Sequence, residues 1–161
     1  SSDLFKINDN ELLLLNIPAA SFANEETPDG SPRIVTVSGS NQIIYRLYSG
    51  DIGSSTICST LPPATPVVEK EWNATGGTIE IITNALYASD GITITGYTHN
   101  IKFVNVNFSN SDNSFSFTEY IFGNYELDYV VHQKQFLTRQ LASAVFTLFI
   151  SMTSNYFFGL R

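Results

Sequence analysis

Between Gly76 and Phe122 the residues alternate in character with a period of two, and this limits what the chain can fold into more than any other feature. Thr78-Ile79-Glu80-Ile81-Ile82-Thr83 follows a Gly76-Gly77 pair and is dense in β-branched residues, which suit a pleated, half-buried surface. It reads as a strand. The connection from Asn84 ends in Asp90-Gly91, a turn dipeptide whose residues tolerate positive φ. A second strand is expected from Ile92, where Ile92 and Ile94 alternate with Thr93 and Thr95. Further on, Ile101 and Phe103 lie on one parity and Val104, Val106 and Phe108 on the other. A strand reverses its faces only through a bulge or a turn, so a bend is expected, placed between Gly96 and Asn100. The polar cluster Ser109 to Ser114, before Phe115, Phe117 and Tyr120-Ile121-Phe122, is a hairpin signal.

Neighbouring strands with short turns predict a mostly β fold: an antiparallel β-sandwich, with a closed β-barrel as the alternative. The 161 residues amount to one domain with a sizeable core. A charged fraction of only 14% argues against disorder, and 12 Phe with 8 Tyr favour strands. A net charge of −7 disfavours nucleic acid and anionic membrane surfaces as partners. Cys58 is the sole cysteine, which excludes an internal disulfide and a thiolate metal cage and reads as a small buried or strand-edge residue. The longest apolar run, Leu141 to Met152, is shorter than the roughly 20 residues of a membrane-spanning helix. No membrane span is expected.

In chain order, residues 1–10 read as a flexible lead-in, and Leu12 to Ile17, stopped by Pro18, as a buried strand. Arg33 to Val37 and Gln42 to Tyr48 read as a hairpin around Ser38-Gly39-Ser40-Asn41. Thr56 to Thr60 suits a short strand, and the proline-rich stretch 61–66 a crossover from one sheet to another. Over 133–152, Phe136, Leu137, Leu141, Val145, Leu148, Phe149 and Met152 recur near a 3.6-residue period, favouring one C-terminal helix over two strands.

No catalytic constellation emerges. His99 and His132 are the only histidines, and no nucleophile elbow accompanies them. His99 is expected in a surface turn. Trp72, with Tyr45, Tyr48, Tyr87 and Tyr97, offers aromatic faces for a sugar ring or a peptide, so Trp72, Tyr87, Tyr97 and His99 are the candidate ligand-binding residues. Glu25, Glu26 and Asp29 share an acidic loop whose carboxylates suit calcium, although the spacing of an EF-hand is missing. A solvated loop is the simpler account.

Four stretches are reminiscent of a known class: Ser1-Ser2-Asp3, Leu12 to Pro18, Trp72-Asn73-Ala74-Thr75-Gly76-Gly77-Thr78-Ile79-Glu80-Ile81, and Gly96-Tyr97-Thr98-His99-Asn100-Ile101. Together the chain resembles uncharacterised cell-envelope lipoproteins of Bacteroidota-type bacteria, over most of its length up to about Tyr125. The resemblance implies export to the periplasm or the outer-membrane surface, and a lipid tether on a cysteine preceding Ser1. It carries no catalytic or binding residue with it.

The resulting expectation is a non-enzymatic binding or structural component of a bacterial cell envelope, partnered by an envelope protein or a surface ligand. A carrier of a small apolar or carbohydrate ligand is the alternative, motivated by the aromatic content. A carboxylate-based hydrolase is the third reading.

Overall fold

The structure, a computed structural model, describes residues 2–61 and 63–128. By internal packing the chain divides into two units, Ser1–Ala85 with Tyr97–Glu126, and Leu86–Gly96 with Leu127–Arg161. The helix expected over 133–152 lies outside the described residues.

The fold is mostly β and antiparallel, the class the alternation requires. Its strands are β1 (Ser2–Asn8), β2 (Glu11–Ile17), β3 (Arg33–Thr36), β4 (Gln42–Tyr48), β5 (Val68–Tyr87), β6 (Ile94–Ser109) and β7 (Ser114–Asp128). They form a single sheet in the order β1-β2-β4-β5-β6-β7, with β3 added beside β5. The segment expected as a flexible lead-in is therefore ordered: Asp3 to Ile7 pair with Asn16 to Leu12 across a tight turn. Asp9 adopts φ 53° in that turn, a conformation Asp tolerates better than most residues.

The expected hairpin between β3 and β4 does not form. Both strands instead run antiparallel to β5, β3 along Thr78 to Ile81 and β4 along Val68 to Asn73. They lie end to end beside one long partner, and the polar residues between them make a jog in which Val37 N–H donates to the Gly77 carbonyl at 3.0 Å. Two strands of good β propensity flanking a polar turn look the same in sequence whether they fold back on each other or continue along a third. Thr56 to Thr60 is not a strand either: Ser54–Ile57 makes one helical turn, α1, closed by the Cys58 N–H on the Ser54 carbonyl. The proline-rich stretch that follows returns the chain to β5 beside β4, within one sheet.

The parity reversal read in β6 is real, but it sits beyond the expected bend. His99, Ile101 and Phe103 face inward from odd positions, then Val106 and Phe108 from even ones. Between them Asn105 takes φ 51°. On the neighbouring strand Trp72 faces inward from an even position and Ile79, Ile81 and Thr83 from odd ones, with Gly77 at φ 113° between. A Cβ on Gly77 would lie 2.6 Å from the Asn105 carbonyl oxygen, so only glycine allows the two backbones to meet there. In β7 the inward set likewise changes from Phe115 and Phe117 to Tyr120 and Phe122. The long strands thus bend through bulges and remain continuous.

Within the first unit the sheet curls into a half-barrel, which brings its edge strands β1 and β7 close enough for Lys6 Nζ to lie 5.1 Å from the centre of the Tyr120 ring. The concave side holds the core, including Leu15, Ile17, Ile43, Ile79, Ile81, Ile101, Phe103, Val106 and Phe108. Each large apolar side chain so buried stabilises the fold by about 1.5–3 kcal/mol. On the convex side Lys102 pairs with Glu80 at 2.9 Å and approaches Glu119 at 3.8 Å, linking β6 to its two neighbours.

The second unit, as described, is centred on the turn Ala88 to Thr93. Asp90 accepts the N–H groups of Ile92 and Thr93 and the Thr93 hydroxyl, and these bonds, the hydroxyl's foremost, hold its carboxyl down at about 2. The Asp90-Gly91 turn is as expected, with Gly91 at φ 69°. The strand begins at Ile94 rather than Ile92, and Ile92 and Ile94 are both exposed. Their alternation therefore precedes most of the strand and marks no buried face.

Candidate functional site

The concave side is not filled to its end. A cleft of about 470 Å³ opens there, lined by β1, β2, β4, β5 and β7. Strand alternation explains which side chains reach it. Lys6 and Asn8 lie on the face of β1 that also carries Leu4, while Glu11 and Leu13 lie on the face of β2 that carries Leu15. Five aromatic side chains, Tyr45, Trp72, Phe115, Phe117 and Tyr120, make most of the remaining wall.

The aromatics hold one another. Phe115 stands edge-on to Tyr45 at 5.5 Å and to Trp72 at 5.8 Å, and Phe117 stacks on Tyr120 at 4.9 Å. Such geometries add about 0.5–1.5 kcal/mol per pair beyond area burial. Their polar atoms are tied back as well: Trp72 Nε1–H donates to Asn113 Oδ1 at 2.6 Å, and the Tyr45 hydroxyl donates to Glu11 Oε1 at 2.6 Å. Burial, reinforced by the hydrogen bond to Glu11 and its charge, pushes the Tyr45 hydroxyl above the ordinary phenol range. Lys6 meanwhile lies over the Tyr120 ring, a cation on a π face. The result is a rigid aromatic wall facing a hairpin that presents an ammonium, an amide and a carboxylate.

Of the residues expected to bind ligand, Trp72 lines this cleft and the others do not. Tyr97 stands two residues from His99 on the same face of β6, and Tyr87 belongs to the second unit. His99 corrects its expectation most sharply, for it is fully buried within a strand rather than exposed in a turn. Its Nδ1 bonds the Thr83 hydroxyl at 2.8 Å, its ring stacks on Tyr125 and meets the edge of Phe22, and its Nε2 is buried with no partner among the described residues. Burial, with a smaller contribution from the Arg33 charge, pulls its pKa below the ordinary value of 6.5. Neutral, it is a core residue.

Glu25, Glu26 and Asp29 are exposed, and Glu26 Oε1 accepts the Ala85 N–H at 3.1 Å. Among the described residues no group of three or more His, Cys, Asp or Glu side chains is arranged to hold a metal ion, so the calcium reading of this loop finds no geometry behind it. The loop instead lies along β5, where Thr27 N–H donates to the Thr83 carbonyl at 3.0 Å. Cys58 is exposed at the end of α1, neither buried nor at a strand edge.

A second cavity of about 330 Å³ lies under the loop that carries α1, with Arg46, Tyr48, Thr56, Ser59 and Glu71 in its wall. Its main charges already satisfy each other, Arg46 Nε donating to Glu71 at 2.6 Å. The aromatic cleft is the roomier of the two.

Sequence reading found Trp72 and Tyr45 as candidate stacking residues but missed Lys6, Asn8 and Glu11, which it placed in or beside a lead-in. The available signal was Asn8-Asp9-Asn10-Glu11, a turn sequence that sets Asn8 opposite Glu11 in the observed register. Among the described residues no helix is long and apolar enough to cross a membrane, which leaves crossing by strands unaddressed. Compared with protein-family models, with curated proteins and with solved structures, the chain finds no match in any of the three.

Proposed function

We propose that the chain is a non-enzymatic binding module and that the aromatic cleft takes a small ligand. A single observation carries this reading: a preformed cleft of about 470 Å³, walled by five mutually braced aromatic side chains and edged by a few polar groups. That combination of volume, apolar wall and sparse polar contacts is what small-molecule sites share. A module in which ligand meets a rigid wall loses little entropy on binding. Among the described residues the cleft lining contains one carboxylate, Glu11, where glycoside hydrolysis by acid and base takes a pair, which favours binding over turnover. The setting we propose is a bacterial cell envelope, with export and a lipid tether, and its support is the resemblance drawn from the sequence.

Thermal unfolding of the full chain against a small-molecule library tests the binding reading. A ligand at a hundred times its Kd stabilises the fold by about 2.7 kcal/mol, which is easily resolved. The expected result is a stabilising compound whose effect is lost in Phe117→Ala. A library-wide absence of stabilisation, or stabilisation that Phe117→Ala leaves untouched, refutes the cleft as a binding site. Fractionation of cells producing the full-length protein tests the setting, with recovery in the cytoplasm counting against it.

A further inference from the structure

Resting on the reading of the cleft as a small-ligand site, we infer that its ligand is a neutral carbohydrate. The argument begins with sidedness. The apolar wall comes from β4, β5 and β7, while the polar groups come together from the β1–β2 hairpin, where Asn8 pairs with Glu11 and Lys6 lies one step along the same face. A sugar ring has this division: carbon-bound hydrogens cover a flat face that packs on an aromatic ring, and hydroxyls project from its rim.

The polar set matches hydroxyls in kind. A hydroxyl both donates and accepts, and here the Lys6 ammonium donates only, the Glu11 carboxylate accepts only, and the Asn8 amide does both. Of the groups the hairpin sends into the cleft one is positive and one negative, so an anion attracted by Lys6 meets Glu11 and a cation attracted by Glu11 meets Lys6. A neutral polyhydroxyl ligand uses both. Glu11 is also held in place, since its Oε1 already takes the Tyr45 hydroxyl, while a carboxylate retains further acceptor positions.

Exposure separates a sugar from a lipid. Lys6 and Asn8 are exposed and Phe115, Phe117 and Tyr120 only half-buried, so the cleft is open along the side where β1 faces β7. An aliphatic chain gains its affinity by removing all its surface from water, which an open cleft does not offer. A sugar stacks one face and leaves the other wet.

Trp72 is the only tryptophan in the chain and lines the cleft, so its emission reports occupancy directly. The full chain is titrated with maltose, cellobiose, lactose and N,N′-diacetylchitobiose to ~10 mM, a range that captures millimolar affinities. Laurate and anilinonaphthalene sulfonate serve as apolar comparators. The expected result is a saturable change with at least one disaccharide, weakened about tenfold or more, about 1.4 kcal/mol, by Glu11→Gln and again by Lys6→Gln, both checked for native circular dichroism. Saturation by a comparator with none of the four sugars overturns the carbohydrate class and leaves the small-ligand reading standing. Silence with all six overturns both. A disaccharide response unchanged in both variants overturns the assignment of the hairpin as the hydroxyl-binding side.

Discussion

The same long strands serve opposite purposes at their two ends. At the end where β5 carries Trp72, the concave face is aromatic and open, and its side chains brace one another without filling the space. Where β5 carries Thr83, the face is polar and sealed: the Thr83 hydroxyl is shared between His99 Nδ1 at 2.8 Å and Arg33 Nη1 at 3.3 Å, under Phe22 and Tyr125. Residue type alone does not identify a site. The histidine, chemically the more versatile group, is buried with Thr83 and aromatic rings against it, while phenylalanines line the accessible space. Accessibility, not the chemistry of the side chains, separates the end we propose to bind from the sealed one.

The largest expected effect comes from removing what the two ends share. Gly77→Ala places a Cβ 2.6 Å from the Asn105 carbonyl at φ 113°, and strain of this kind together with the displaced backbone costs roughly 3 kcal/mol. Urea unfolding should show the loss, and both the Trp72 emission and the His99 imidazole resonances should move; a response confined to one end would separate the ends more than we describe. Thr83→Val acts on the sealed end alone. It removes a partner from His99 and from Arg33, costs about 1–2 kcal/mol, and should leave native Trp72 emission unchanged. Trp72→Phe acts on the open end alone, losing the bond to Asn113 for about 1 kcal/mol, with His99 resonances unmoved.

The smallest effect is a dependence on pH. The folded chain holds His99 neutral, with its pKa below the 6.5 of an exposed imidazole. Below pH 6.5 the unfolded chain takes up a proton that the folded chain refuses, so stability present above that value falls as the pH is lowered towards the folded-state pKa. In His99→Gln this part of the slope should vanish. Equal slopes in the two proteins would show that the histidine takes up its proton as readily folded as unfolded, and the sealed end would then be less dry than it looks.

How much of this was legible in the sequence follows from the range of the interactions involved. Strands were legible because β-branched content, alternation and short apolar runs are local properties: Thr78 to Thr83, Ile101 to Phe108 and Leu12 to Ile17 all lie within strands. Even the parity reversal was legible, though its place was not. Asn105 looks like any polar residue until Gly77 is set against it 28 positions away in sequence, and only the pairing shows that the two backbones touch. Partner choice was illegible for the same reason, since β3 finds β5 rather than β4. The cleft was half legible. Trp72 and Tyr45 were visible as aromatics, but Phe115, Phe117 and Tyr120 read as ordinary core residues, and Lys6 became relevant only once curling brought β1 to β7.

The meeting of Gly77 with Asn105 also fixes how β5 and β6 align. A strand with unbroken alternation can slide by two residues against its neighbour and still keep its oily side turned inward. Here such a slide would bring Thr75 or Ile79, each bearing a Cβ, to the spot where only a hydrogen fits. The joint is keyed, so β5, the strand that carries Trp72 into the cleft, has one permitted alignment against β6.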